Sequence, residues 1–415
     1  MYIKELTNEE FESFTLRFSV SSVYQTKEYA LVMNKQGYSS IYIGLIDNDK
    51  IIGASLVLIN KINGFKYAYA PRGFLIDYSN FEVLKEFTIL LKKYLGKKDI
   101  IAIKICPTII KSVYDYKLDL KDDNNNFNTY YNNLRKLGYY HLGFNNKFEA
   151  LKPRYEAVID LKKNQKDLFN SIKKEFKTKI RSAMNSGIDI YRTDKEKLEF
   201  LYNQTKEKYK RNLKYFEDTY DYFSRNDKIE FFCAKMNTEE YLKNITKEYE
   251  TIENELNSFN EKLIYNKNYS KKTVEKKIIL DEKYNNIKEK LDKAINFCKN
   301  YNDGIILATA LVIKHMDTAY LIIDGYNYEF KNLNAKHLLI WKLIEKYSLE
   351  GYKKFNLGGI SNINDNNRYN NLTKFKLNFN AKSIEYIGDF ELITNNALYF
   401  MYKKVSPFKK ILKKR

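Results

Sequence analysis

Cysteine and histidine are scarce, with three of each in 415 residues. Cys106, Cys233 and Cys298 stand far apart and are odd in number, which excludes a disulfide framework and fits a reducing compartment. His141, His315 and His337 are equally isolated, so no zinc-ligand spacing exists and a Ser-His-Asp triad has little support. Missing too is any run of about 18 apolar residues, so no transmembrane helix is expected. The opening MYIKELTNEEFESF is acidic and amphipathic, unlike a signal peptide. Together these absences predict a cytosolic chain with no metal site and no cofactor.

What is present is bulk and positive charge. At 44% hydrophobic and 15% aromatic residues, the chain can fill the cores of two or three domains. Its net charge of +20 suggests a polyanionic partner: nucleic acid, an anionic membrane face or a phosphorylated substrate. Lysine enrichment from a low-GC coding bias, which would also supply the 37 tyrosines, is the plain alternative.

The most informative stretch is FNLGGISNINDNNRYNNLTKFKLNF, residues 355–379. A short strand, Phe355 to Leu357, runs into Gly358-Gly359, where backbone can approach a ligand closely or take positive φ. After a polar loop, Phe375, Leu377 and Phe379 alternate with Lys374, Lys376 and Asn378, which predicts a strand with one basic face. The basic face is either a site for an anionic ligand or an edge strand with solvated lysines.

Two segments share an order of elements. From Ile41 to Ile105 the pattern reads hairpin, strand, loop, helix (FEVLKEFTILLKKYL) and strand (IIAIKI). From Ile305 to Leu357 it reads the same way, with LNAKHLLIWKLIEKYSLEG as the helix. That is the usual plan of a GCN5-related acyltransferase half, and a generic α+β sandwich is the alternative. Between them a basic helix is expected over Asp167–Gly187. Its apolar stripe is Leu168, Ile172, Phe176, Ile180 and Ala183, and Lys173, Lys174, Lys177, Lys179 and Arg181 lie off that stripe. Heptad-like seams run through Leu242–Leu263 and Leu280–Cys298, predicting an antiparallel helical hairpin. Such an arm could brace a partner, form a dimer or be a neutral insertion. The ending KKVSPFKKILKKR has seven basic residues and no acidic one, and suits an anionic bilayer, RNA or a solvated tail.

Six segments in order resemble the Fem-type peptidoglycan bridge aminoacyltransferases over nearly the whole chain: YQTKEYALVMNKQGY, AYAPRGFLIDY, KTKIRSAMNSGIDIY, KYKRNLKYF, GYKKFNLGGIS and NLTKFKLNF. The sequence departs from that family's pattern at Tyr29, Phe74 and Lys179. The resemblance implies an α/β (α+β) fold of two GCN5-related acyltransferase-like domains with an inserted antiparallel coiled-coil hairpin. The expected divisions are 1–150 for the first domain, 151–237 with 300–395 for the second, 238–299 for the arm and 396–415 for a basic C-terminal segment. It also implies transfer of an amino acid from aminoacyl-tRNA to the stem peptide of a lipid-linked or UDP-linked muropeptide. A coenzyme A loop of the Arg/Gln-x-x-Gly-x-Gly type is absent from the sequence.

By the same resemblance, Lys35, Arg72, Arg211, Tyr215, Gly358 and Gly359 are expected at the precursor, and Lys376, Phe375 and Asp77 at the reacting centre. Lys173, Lys174, Lys177, Lys179 and Arg181 are the expected tRNA contacts. The chemistry suits these residue types. An aminoacyl ester is already activated, so the reaction needs only an unprotonated acceptor amine and stabilisation of the oxyanion. Lys376 can supply the latter. Asp77 is better suited to orienting the acceptor ammonium than to deprotonating it, since a carboxylate of pKa about 3.9 is a weak base for an amine of pKa about 10. Two other classes stay open: an acyltransferase acting on a protein or small-molecule amine, and a non-catalytic basic RNA-binding or coiled-coil protein. Peripheral contact with the inner face of an anionic membrane is a further expectation.

Overall fold

The structure, a computed structural model, describes residues 1–145, 152–265, 270–362 and 370–405. Its first half runs strand (Tyr2–Glu5), helices (Asn8–Arg17, Lys27–Lys35), strands (Ser39–Asp47, Lys50–Ile62, Phe65–Ala70), helix (Phe81–Lys97) and strand (Ile100–Ile105). The second half repeats this order. Strand Ile188–Thr193 and helices Leu198–Thr205 and Leu213–Ser224 lead to strands Ile229–Met236, Ile305–His315 and Thr318–Tyr326, then helix Ala335–Leu349 and strand Lys354–Ile360. In both halves the first four strands pair antiparallel and the last joins in parallel. The fold is thus α/β, with two acyltransferase-like units.

The repeat is longer than the sequence pattern indicated. In the first half Ser39–Asp47 and Lys50–Ile62 are joined by Asn48-Asp49, both at positive φ, a tight hairpin turn. The equivalent strands of the second half, Ile229–Met236 and Ile305–His315, pair in the same way but are separated by the helical arm. The arm hides this hairpin from a local reading. Its helices, Thr238–Tyr265 and Lys271–Asn300, pack on each other, and Tyr249 meets Tyr284 at 2.8 Å between hydroxyls. Their connection at 266–269 falls outside the described residues.

The two sheets exchange strands. The first runs in the order Tyr2–Glu5, Ser39–Asp47, Lys50–Ile62, Phe65–Ala70, Ile100–Ile105, Phe390–Ile393, Tyr139–His141. The second begins Ile188–Thr193, Ile229–Met236, Ile305–His315, Thr318–Tyr326 and Lys354–Ile360. It then continues through Tyr155–Asp160, Lys382–Tyr386, Ile110–Tyr114 and Leu120–Asp123. Residues 110–123 and 390–393 therefore sit across the division expected at 150. The Lys27–Lys35 and Leu213–Ser224 helices, equivalent in the repeat, pack against each other. A core containing Tyr29, Val32, Tyr215, Phe216 and Phe223 joins the halves there.

Three local expectations are corrected. The basic helix is two helices, Gln165–Ser171 and Lys174–Met184, with Ile172 and Lys173 extended between them. The Lys173 amide donates to the Asn378 carbonyl across this break, and Ile172 is buried by it. Residues 374–377 belong to a helix, Asn370–Leu377, not a strand. Positions 375 and 379 are four apart, so they suit a helical turn as well as a strand, and their rings meet edge-on at 5.4 Å. The glycine pair does not end its strand. Lys354–Ile360 runs through both residues with a bulge between Asn356 and Gly359, where Gly358 takes φ of +77°. Most of the polar loop after it (363–369) and the last ten residues (406–415) fall outside the described residues.

Candidate active site

The parallel strands Thr318–Tyr326 and Lys354–Ile360 pair only from Thr318–Tyr320 against Lys354–Asn356. Beyond that point the pairing stops, at the bulge that holds Gly358. The Lys376 ammonium lies at this opening. Residues Thr373, Lys376 and Leu377 form the buried face of the Asn370–Leu377 helix, and the Lys376 ammonium donates to the Gly359 carbonyl at 2.8 Å. Burial, with Lys336 nearby, lowers the Lys376 pKa to about 8, although Asp324 and Glu156 favour its charge. Lys336 pairs with Asp324 and lies 4.6 Å from the Phe375 ring centroid. Phe375 packs edge-on or tilted against His337, Phe176 and Phe379.

Arg72 reaches the same region from the first half. Its loop is clamped by Gln25, whose amide donates to the Pro71 carbonyl at 2.7 Å and accepts from the Leu56 amide at 2.8 Å. A side chain at Gly73 would meet Ser55 Oγ at 2.8 Å and Gln25 Nε2 at 3.0 Å, so this close approach requires glycine. Thus the early Gln segment and the Pro-Arg-Gly segment, separate in sequence, form one contact. The Arg72 guanidinium donates to Glu156 at 2.6 Å and to the Pro153 carbonyl at 2.7 Å, and stacks 4.2 Å from the Tyr386 ring centroid. Burial disfavours both charges, but each is the other's counter-ion. Arg72 is held above its ordinary range and Glu156 below the carboxylate range, with help from Asn356 and Tyr386.

A continuous polar chain links the two centres. The other Glu156 oxygen accepts from Asn356 at 2.8 Å and Tyr386 at 3.2 Å. Asn356 Oδ1 accepts from the Gly358 amide at 2.7 Å, and the neighbouring Gly359 carbonyl holds Lys376. Glu156, Asn356 and Tyr386 were missed in the sequence reading. The available signal was a polar residue between apolar neighbours within a strand, Glu156 in YEAVID and Asn356 in FNL.

A cationic and aromatic cluster borders this junction. Arg211 lies 4.6 Å from the Tyr215 ring centroid, just before the Leu213–Ser224 helix that Asn212 caps. Tyr24 and Tyr29 meet edge-on at 5.2 Å, and Lys152 Nζ sits 3.1 Å from the Tyr24 centroid. Burial, followed by the facing Arg72 and Arg211, pushes the Lys152 pKa well down despite Cys106 and Glu156. Arg72, Arg211, Tyr215, Gly358, Gly359 and Lys376 are therefore gathered around the junction of the halves, while Phe375 packs on the core of the second half.

The remaining expected residues lie outside this cluster. Lys35 is exposed in the last turn of its helix. Asp77 is exposed and accepts only local bonds, from the Ser79 amide at 2.9 Å and hydroxyl at 2.5 Å, an Asx turn just before the Phe81–Lys97 helix. Of the basic-helix side chains, Lys173, Lys174 and Arg181 are exposed, while Lys177 and Lys179 are half-buried, bonded to the Asn170 carbonyl and to Glu175. That helix contributes Phe176, from its buried face, to the Phe375 cluster. Among the described residues no group of His, Cys, Asp and Glu is arranged to hold a metal ion.

Comparison with known proteins agrees with this architecture. The chain is 25% identical over 419 residues to the Lipid II:glycine glycyltransferase of Staphylococcus aureus, covering 97% of this chain and 95% of that protein. The crystal structure of FemX superposes with a TM-score of 0.75 at 23% identity, covering 97% of this chain and 99% of that one. Residues 6–406 match the FemAB family model. Matched across both repeated halves and the arm inserted in the second, the chain belongs to the FemAB family.

Proposed function

We propose that this chain is an aminoacyltransferase that extends the stem peptide of a lipid-linked peptidoglycan precursor, taking its amino acid from aminoacyl-tRNA. The observation that carries the reading is Lys376, a buried ammonium at the opening between two parallel strands, joined through Gly359, Asn356 and Glu156 to Arg72. An aminoacyl ester lying in that opening would put its carbonyl oxygen against a fixed cation held in a low-dielectric setting, where oxyanion stabilisation is strongest. The acceptor amine attacks the ester carbonyl, the tRNA hydroxyl leaves, and one proton passes from the amine to that hydroxyl or to water. The S. aureus relative, named for lipid II and glycine, supports the acceptor class. No glycine lies between Asn327 and Ala335, just before the helix whose start would hold a coenzyme A pyrophosphate, which favours tRNA over an acyl-CoA donor. The exposed lysines of 173–181 suit the RNA backbone, and Arg211 with Lys35 suits the phosphates of the precursor.

The test is direct. Incubated with charged tRNA and lipid-linked precursor, the protein should yield a product heavier by one aminoacyl residue, seen by mass spectrometry. Product formed from acyl-CoA instead, or none with any charged tRNA, would overturn the reading.

A further inference from the structure

The helix Asn396–Val405 uses one face to dock on the first sheet. Tyr399 and Tyr402 are buried there with Ile101 and Ala102. Tyr402 lies 5.8 Å from Phe65 and 5.9 Å from Tyr67, ring to ring, and the Tyr399 hydroxyl donates to Glu391. An ordinary surface helix would then be polar on its other face. This one is not: Phe400 is 59% exposed and Met401 53%. Tyr140, 56% exposed, lies opposite Glu391 in the sheet register and so emerges on the helix side. Exposed Lys403 and Lys404 border these side chains. The Lys404 ammonium lies 4.5 Å from the Phe400 ring centroid and that of Lys403 4.8 Å from Tyr399, so each aliphatic stem runs along an aromatic ring. The sequence continues for ten residues with five basic, no acidic and three large apolar residues, Phe408, Ile411 and Leu412.

We propose that this face is a docking surface for an anionic lipid bilayer. Phe400, Met401 and Tyr140 would enter the boundary between headgroups and acyl chains, while Lys403 and Lys404 lie level with the lipid phosphates. Charge argues against a second copy of the chain as occupant, because two such faces would bring like charges together. An RNA strand would use the lysines but gain little from Met401, which has no ring to stack on a base. The surface does not depend on the proposed activity, since it lies on the first sheet away from Lys376.

The experiment is flotation of the full chain with vesicles of equal parts phosphatidylglycerol and phosphatidylcholine, and with phosphatidylcholine alone, in the absence of precursor and RNA. Binding to the anionic vesicles only, weakened by salt, is expected. Lys403→Ala with Lys404→Ala should lose about thirtyfold in affinity, and Phe400→Ser with Met401→Ser about tenfold or more. All four side chains are exposed, so melting temperatures should match the parent. Equal binding to neutral vesicles would overturn the proposal, as would parental affinity in both double variants. Loss of self-association or of RNA retention, with vesicle affinity unchanged, would also overturn it and identify the other occupant.

Discussion

Lys376 is the residue on which the chemistry can be tested most sharply. Lys376→Met keeps the length of the stem and removes the charge, so single-turnover transfer should slow by about 10²–10³. Lys374→Met should leave it near the parental rate, because the helix turns Lys374 outward and Lys376 inward. The acceptor amine must lose its proton, so the parental rate should rise with pH and level off near pH 8, where the Lys376 ammonium is lost. In Lys376→Met it should instead keep rising towards the acceptor's own pKa of about 10. Because burial lowers the Lys376 pKa, the charged form costs the fold stability below about pH 8, a cost relieved as pH rises towards 10.5. Lys376→Met should therefore be at least as stable as the parent at neutral pH. Glu156→Gln leaves Arg72 buried without its counter-ion and should cost roughly 3–5 kcal/mol in urea unfolding. Motif residues such as Arg72, Arg211 and Lys376 were legible in the sequence because they sit in recurring local contexts. Glu156 and Asn356 were not, because one polar residue in an apolar strand leaves no periodic trace and its partner lies about as far as 200 residues away.

Among the elements, the helical arm was the easiest to read, because about five to six turns of helix repeat one apolar spacing on each side. Its root was harder. Tyr241, Ile245, Ile287 and Ala294 belong to the core of the second half, and Phe297 packs on Phe330 at 5.3 Å. Removing 252–281 with a short joining turn should leave cooperative thermal unfolding close to the parent. Removing 240–297 should lower the melting temperature sharply, since four core side chains go with it. Equal stability of the two deletions would mean that the root contributes nothing. The Asn370–Leu377 helix reads as a strand because Phe375 and Phe379 satisfy both periods and Leu377 completes an alternation between them, and the burial of Thr373 and Lys376 beside Leu377 marks the helix.

At the scale of the whole molecule, two solution properties follow from charge. If tRNA is the donor, its affinity should fall steeply with salt, with a log–log slope of order −0.7Z to −0.9Z for Z neutralised phosphates, and a flat response would remove the polyanion reading. His315 is buried and His337 half-buried, and desolvation lowers both pKa values to about 4. The unfolded chain therefore binds more protons between about pH 6.5 and 4, and stability should decline as pH falls through that window. His337→Phe, which keeps the ring contacts with Phe176 and Phe375, should flatten the decline in thermal melts. The duplicated plan was visible in the sequence as two hairpin–helix–strand patterns, whereas the exchanged strands were not, since four residues such as Phe390–Ile393 carry too little pattern to say which sheet they enter. That exchange bears on how the chain is made. Phe390–Ile393 lies between Ile100–Ile105 and Tyr139–His141, so a nascent chain of the first few hundred residues holds two strands with a vacant slot between them. The first half is completed only after residues 390–393 have been made, and until then it presents open strand edges that need protection from neighbouring chains.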